Sequence, residues 1–361
     1  MRCWTGSQKF CVPMTAAPPE PAMASTPPGL DEFGLIGRYF RPLTMSEPGA
    51  FGLTDDAAVL DLAPGERLVV TTDAMVADVH FPATDPPAAI ARKLLRVNLS
   101  DLAAMGARPR GYTLAAVLPR ETDETWIEAF AAGLADDQAA FGIVLVGGDT
   151  VATNGPATFS VTALGVVDGD AVLRRNGARP GDDVYVSGTI GDAALGLAVL
   201  QNRLDVPMPA DRDRLVERFR LPTPQLKLGL SLVGVASAAA DVSDGLVADL
   251  GHICEASECG ANIELAAVPL SPAAMRAVTD RQPLHRSLLT GGDDYELVLA
   301  VPAAERGRIA EIARTAGVPL TRIGCFVEGS PAVAVLGGAG NRIDLGRGGY
   351  QHFRKSEKEG G

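Results

Sequence analysis

The sequence predicts an α/β protein of two domains, and three observations carry that expectation. Short aliphatic and β-branched runs alternate with longer stretches at helical spacing. At 361 residues the chain is longer than one small hydrophobic core ordinarily serves. A polar stretch at 174–183, RRNGARPGDD, breaks the alternation near the middle, as a linker between domains does.

The elements follow in order. Residues 1–29 are rich in Pro and Ala and have no periodicity, so they read as a disordered tail. They lack the apolar core of a secretory signal, and Met14 and Met23 are alternative starts. The runs at 57–62 and 68–72 read as strands, each followed by turn residues or carboxylates. A helix is expected over 88–105, where Ile90, Leu94, Leu95, Leu99 and Leu102 keep near-helical spacing. A strand at 112–118 and a long helix at 122–141 come next. They lead to a strand at 143–146 that ends in Gly147-Gly148-Asp149, and to another at 159–167.

Beyond the linker a second α/β unit begins, with a strand at 184–187 and a helix at 191–204. Helices at 211–219 and 225–235 are parted by Pro222 and Pro224. A strand at 238–242 enters Ser243-Asp244-Gly245 and is followed by a helix to residue 257. A strand at 295–301 and a helix at 304–316 complete the pattern. The expected organisation is a tail over 1–29, domains over 30–170 and 171–355, and a flexible tail over 356–361.

Composition narrows the function. Apolar residues make up 47% and charged residues 21%, the balance of a soluble globular protein. A formal net charge of −12 argues against nucleic acid or an anionic membrane as partner. No apolar run reaches the ~20 residues of a membrane span. Cys3, Cys11, Cys254, Cys259 and Cys325 are odd in number and have no zinc-site spacing. They read as free thiols of a reducing, cytoplasmic compartment.

Acidic segments carry the chemistry. They are Thr54-Asp55-Asp56, Thr71-Thr72-Asp73, Asn98 to Asp101, Gly147-Gly148-Asp149-Thr150, Asp241-Val242-Ser243-Asp244-Gly245 and Gly291-Gly292-Asp293-Asp294. Taken singly, each reads as a cap or turn. Together, with paired carboxylates placed where strands are expected to end, they point to hard oxygen ligands for Mg²⁺. Asn98 and Asp101, three apart on a helix, share a face. Gly147 and Gly148 let the backbone approach a ligand closely. There is no His/Cys cluster for zinc; His80 and His252 stand isolated in sequence. P-loop, protein-kinase and serine-hydrolase signatures are also missing. An acidic protein can therefore bind phosphates only with help from metal ions and backbone amides.

At these residues the chain resembles the thiamine-monophosphate kinases, over roughly 30–353. The segments TDDAAVL, TTDAMVADVHF, VNLSDLAAMGARP, GGDT, DVSDGL with DLGHI, and GGDDYEL stand in the family's order, VNLSDLAAMGARP being the most specific. The resemblance extends to the aminoimidazole-ribonucleotide-synthetase-like superfamily. It implies an N-terminal sheet domain that dimerises, a C-terminal α/β domain beside it, and an active site in the cleft between them. The implied activity is direct, Mg²⁺-assisted transfer of the ATP γ-phosphoryl group to thiamine monophosphate.

The resemblance also assigns residues. Asp55, Thr71, Thr72, Asp73, Asp101, Asp149, Asp241 and Asp244 match metal-binding positions. Gly148, Asp149, Arg175 and Ser243 match nucleotide contacts, and His80, Asp293 and Tyr350 match contacts to the thiamine phosphate. The family often has Gly at Thr54 and Glu at Asp293. It also often has an aromatic near Ala131, where Phe130 stands nearest in this chain.

Phosphoryl transfer needs positioning and charge neutralisation more than covalent help. A phosphate acceptor, dianionic above its second pKa of ~6, needs no general base. The selenophosphate synthetases carry a reactive Cys and a Lys that have no counterpart ahead of Asp55, and the hydrogenase-maturation relatives end in a cysteine tail unlike GYQHFRKSEKEGG. Aminoimidazole ribonucleotide synthetase itself matches VNLSDLAAMGARP and GGDDYEL less well. A non-catalytic nucleotide sensor is the alternative of a different class, and the number of separate carboxylates argues against it.

Overall fold

Two sheets organise the computed structural model, which describes residues 31–45, 47–278 and 282–345. The tails expected over 1–29 and 356–361, with Cys3, Cys11 and Tyr350, lie outside the described residues. The chain enters through a short helix α1 (Glu32–Leu35), capped by the Asp31 carboxylate on the Gly34 amide, then a π-helical turn and two 3₁₀ segments ending at Leu53. Residues 57–62 form no strand, contrary to the sequence pattern. Val59 is 60% exposed and its amide bonds to the Gly49 carbonyl of the preceding turn, so the alternation finds no partner strand.

The first sheet holds β1 (Glu66–Val76), β2 (Arg108–Pro119), β3 (Leu145–Thr153) and β4 (Thr158–Asp168) in the order β1-β4-β2-β3. Only β2 and β3 run parallel; the other pairs are antiparallel. Helices α2 (Pro87–Ala104) and α3 (Glu124–Phe141) cover one face. The predicted stripe of α2 is the one that packs: Leu94, Leu95, Leu99 and Leu102 are wholly buried. Helix α3 begins at its Asp123 cap and ends where Gly142 turns left-handed. Phe130 is buried there, in a cluster of three rings with Trp126 and Phe159. It is part of the core.

The second sheet, ordered β10-β7-β9-β5-β8-β6, belongs to the C-terminal half. It is built from β5 (Asp183–Ser187), β6 (Ala238–Asp241), β7 (Gly260–Glu264), β8 (Leu297–Val301), β9 (Leu320–Val327) and β10 (Val333–Leu336). Helices α4 (Asp192–Leu200), α5 (Pro209–Arg220), α6 (Leu226–Leu232), α7 (Leu246–Ser257), α8 (Pro272–Val278), α9 (Gln282–Thr290) and α10 (Arg306–Ala316) surround it. Helix α2 joins the halves: Leu228 and Leu232 of α6 share its core cluster. Arg96 on α2 clamps the junction. It grips the buried Asp137 through two nitrogens (2.6 and 2.9 Å) while donating to the Pro222 carbonyl at 3.0 Å.

Candidate active site

The acidic segments do not all end strands. Thr71-Thr72-Asp73 lies within β1 and Gly147-Gly148-Asp149 within β3, so strand parity decides which side chains meet. Asp73 pairs across the ladder with the buried Val161 and so faces the helices. The Asp73 amide donates to Asn98 Oδ1 (3.1 Å), and the Thr71 hydroxyl donates to Asp101 Oδ2 (2.5 Å). The shared helical face of Asn98 and Asp101 therefore docks along the β1 edge, as their spacing predicts. Thr72 points the other way and donates to the Val161 carbonyl at 3.0 Å. Its side chain does not join the cluster.

Strand β6 delivers Asp241 to the same place from the other half. Its Oδ2 accepts the Ser100 hydroxyl at 2.9 Å, and the residue is only 3% exposed. Burial, aided by the Asp101 and Asp249 charges, raises its carboxyl well above the usual range. Burial also pushes Asp73 up to about 6, with Asp101 and Asp244 adding repulsion. Asp101 is raised by burial too, but the Thr71 hydroxyl and the Arg175 charge oppose the shift. Asp73, Asp101 and Asp241, from both halves, are thus all raised by burial, and carboxylate neighbours add to the shift at Asp73 and Asp241. A cavity of about 310 Å³ opens beside them, lined by Thr71, Asp101, Arg174, Arg175 and Asp241 among others.

The loop after β6 is shaped by Asp249, the first residue of DLGHI, to which the sequence assigned no site role. Asp249 Oδ2 accepts the amides of Ser243, Asp244 and Gly245 at 3.0, 3.0 and 3.1 Å. Burial pushes this carboxyl up to about 6 against the bond from the Asp244 amide. Its signals in the sequence are an acidic residue in the first turn of α7 and its place at the head of DLGHI.

The Gly291–Asp294 loop lies against this turn. The Asp293 amide bonds to the Ser243 carbonyl (2.9 Å) and the Tyr295 amide to the Val242 carbonyl (2.8 Å). A Cβ at Gly292 would stand 2.1 Å from the Ser243 carbonyl oxygen, so the close approach requires glycine. Asp293 is salt-bridged to Lys93 on α2. His80 follows β1, and its Nδ1 accepts the Val76 amide at 3.0 Å. Asp294 is buried. It accepts the Gly191 and Ala193 amides, while burial pushes its carboxyl up to about 8.

Asp55, Gly148 and Asp149 form a separate group. They line a cavity of about 130 Å³ with Phe40, Leu53 and Leu114. Asp149 sits opposite Ala115, which pairs with Ser160, which pairs with Ala74 on β1. Three strand spacings, roughly 14 Å, separate it from the Asp73 edge. It also projects from the opposite face of the sheet. Gly148 answers first to its own ladder, because a Cβ there would lie 2.1 Å from the Leu114 carbonyl oxygen. Among the described residues, no three His, Cys, Asp or Glu side chains converge tightly enough to ligate one ion by themselves.

A two-domain fold with paired sheets and a carboxylate-lined cleft at their junction defines a class, and the comparisons name it. The AIR synthase related protein N-terminal domain matches residues 54–167 and its C-terminal domain matches 179–336. A thiamine-monophosphate kinase of Caulobacter vibrioides is 49% identical over 322 residues, covering 88% of this chain and 89% of that protein. The crystal structure of thiamine-monophosphate kinase from Stenotrophomonas maltophilia K279a superposes with a TM-score of 0.76 at 44% identity, covering 85% of this chain and 96% of that one. AaThiL complexed with AMPPCP and TMP matches with a TM-score of 0.71 at 28% identity, covering 89% of this chain and 97% of that one. The chain belongs to the thiamine-monophosphate kinase family.

Proposed function

We infer that the chain transfers the γ-phosphoryl group of ATP to thiamine monophosphate, giving thiamine diphosphate and ADP. An acceptor phosphate oxygen bonds to the γ-phosphorus as the bond from that phosphorus to the β–γ bridging oxygen breaks. The observation that carries this reading is the meeting of Asp73, Asp101 and Asp241, from both halves, beside Arg175. Its relatives supply the substrates: they are thiamine-monophosphate kinases, and AaThiL is complexed with AMPPCP and TMP.

The residues present fit Mg²⁺. They are hard oxygen donors, and burial, with repulsion from neighbouring carboxylates, disfavours their ionised forms in a way that a bound cation relieves. Asp73, Asp101, Asp241 and Asp244 would hold such ions, with water and substrate phosphates completing the shells. When bound, Mg²⁺ neutralises phosphate charge and so lowers the repulsion between two anions. Arg175 adds a fixed positive charge for the ATP phosphates, and Ser243 offers a contact from the turn that Asp249 holds. His80 and Asp293 are the acceptor contacts among the described residues, and Tyr350 keeps that role by resemblance alone.

Asp55, Thr72, Gly148 and Asp149 belong to the same reaction through a homodimer. The sheet face away from α2 and α3 leaves Leu68, Val70 and Val151 exposed at 45, 56 and 44%, as a dimer interface in the isolated protomer would. In the proposed homodimer, Asp55 and Asp149 of one protomer would reach the carboxylate cluster of the other around the β1 edge. The domain division at 30–170 and 171–355 rests on the two sheets, which occupy 66–168 and 183–336. Reduced Cys254, Cys259 and Cys325 fit the cytoplasm. No helix among the described residues is long and apolar enough to cross a membrane.

Incubation with Mg-ATP and thiamine monophosphate tests the assignment. Thiamine diphosphate and ADP should form in equal amounts, and free thiamine, which presents no dianion, should not react. ADP without thiamine diphosphate, or efficient phosphorylation of thiamine itself, contradicts it.

A further inference from the structure

Lys93 is a buried cation that the reaction above leaves without a task. It lies on α2 amid Leu94 and Leu95, where the apolar stripe alone would favour another leucine, and it is 3% exposed. An ammonium removed from water persists only where other groups replace its hydration. Three elements supply them. Nζ stands 2.9 Å from Asp293 Oδ1, donates to the His80 carbonyl at 3.3 Å, and lies 3.5 Å from the centre of the Phe219 ring on α5. One side chain of the N-terminal half thus ties the turn after β1 to the loop before β8.

The two residues it holds, His80 and Asp293, are the ones assigned to the acceptor. Asp293 has a left-handed backbone, φ +71°, a region that aspartate enters more readily than most non-glycine residues. Its carboxylate is still 30% exposed, so a ligand can reach it while one oxygen is held. An unpaired carboxylate at that position would repel an incoming phosphate; the ammonium offsets its charge. At His80 the Val76 amide occupies Nδ1, so the neutral ring carries its proton on Nε2, and Lys93 fixes the carbonyl of the same residue.

We propose that Lys93 is a positioning residue for the acceptor, setting the Asp293 carboxylate and the His80 main chain in the geometry that receives thiamine monophosphate. The proposal rests on the reading that His80 and Asp293 contact that acceptor. Its effect is confined to the acceptor side, because Lys93 contacts Asp293, His80 and Phe219 rather than Thr71, Asp101, Arg175 or Asp241, which line the larger cavity.

Steady-state kinetics of Lys93→Met separates this from a packing role. The KM for thiamine monophosphate should rise about tenfold or more, the scale of a lost charged hydrogen bond. The KM for ATP should stay within about twofold. Combining Lys93→Met with Asp293→Asn should cost little more than the worse single change, since both break one contact. Lys93→Gln, whose amide still donates hydrogen bonds, serves if Met unfolds the chain, and the same split is expected. Equal rises in both KM values, or an unchanged acceptor KM in a folded variant, overturn the proposal. Failure of both variants to fold assigns Lys93 to the core and overturns it as well. A wild-type protein that binds and turns over ATP but ignores thiamine monophosphate overturns the functional reading instead.

Discussion

Ser100 and Asp241 are joined across the junction of the two halves by a 2.9 Å hydrogen bond, hydroxyl to carboxylate. Both residues are buried. The bond opposes the burial and the neighbouring carboxylates that raise the Asp241 proton affinity. Ser100→Ala therefore removes a stabilising donor and leaves the carboxylate more exposed to repulsion.

That substitution should destabilise the fold by ~1–3 kcal/mol, the cost of an unpaired buried acceptor. It should also shift the acid limb of the activity profile to higher pH, because Asp241 then ionises less readily. Thermal melting and a pH–rate profile at fixed Mg²⁺ check both effects. An acid limb that stays in place or moves to lower pH contradicts the coupling.

Asp294 gives a stability prediction with a definite sign. Its carboxyl is pushed up to about 8 in the folded chain by burial, against ~3.9 when unfolded. Between those values the unfolded chain is ionised and the folded one is not, so stability falls as pH rises from ~4 to about 8 and then levels. Asp294→Asn should flatten the melting temperature over that window. It should also lower it at pH 5, since one of the Gly191 and Ala193 amides then faces an NH2 group in place of an acceptor oxygen. An unchanged or steeper slope would show that Asp294 stays ionised.

The separation of Asp149 from Asp241 makes the dimer testable. Asp149→Asn and Asp241→Asn chains should each be nearly inactive alone. Mixed dimers hold one intact shared site, so equal co-expression should restore about a quarter of wild-type activity by random pairing. No recovery in verified mixed dimers would place both residues in one protomer's site.

Much of this was legible in the sequence because it is local. The helix expected over 88–105 is α2, Pro87–Ala104, since its leucines repeat at helical spacing. Asn98 and Asp101 share a face for the same reason. Long-range pairing was not legible. The 57–62 run alternates like a strand but has no partner, while β7, β9 and β10 gave no strong local signal. The strand expected to stop at 146 continues through Gly147-Gly148-Asp149, because β2 pairs with it through Thr153. That continuation sets the parity that turns Asp149 away from Asp73. Lys93 and the loop-holding role of Asp249 were not legible, because a lysine on a helix and an acidic first turn look like ordinary surface chemistry. Only burial and their partners mark them out.

We infer that carboxylates from both halves form one phosphoryl-transfer site. It is tested most directly by thiamine diphosphate formation in Asp73→Asn, Asp241→Asn and the double variant, at saturating Mg²⁺ with melting curves alongside. Each single change should cut turnover by at least ~100-fold, as loss of a transition-state charge partner does. The double variant should be far less than multiplicatively worse, because both residues act through one assembly. The fold should survive, with melting temperatures at or above wild type once buried repulsion is relieved. Near-wild-type turnover in both folded single variants would contradict the account.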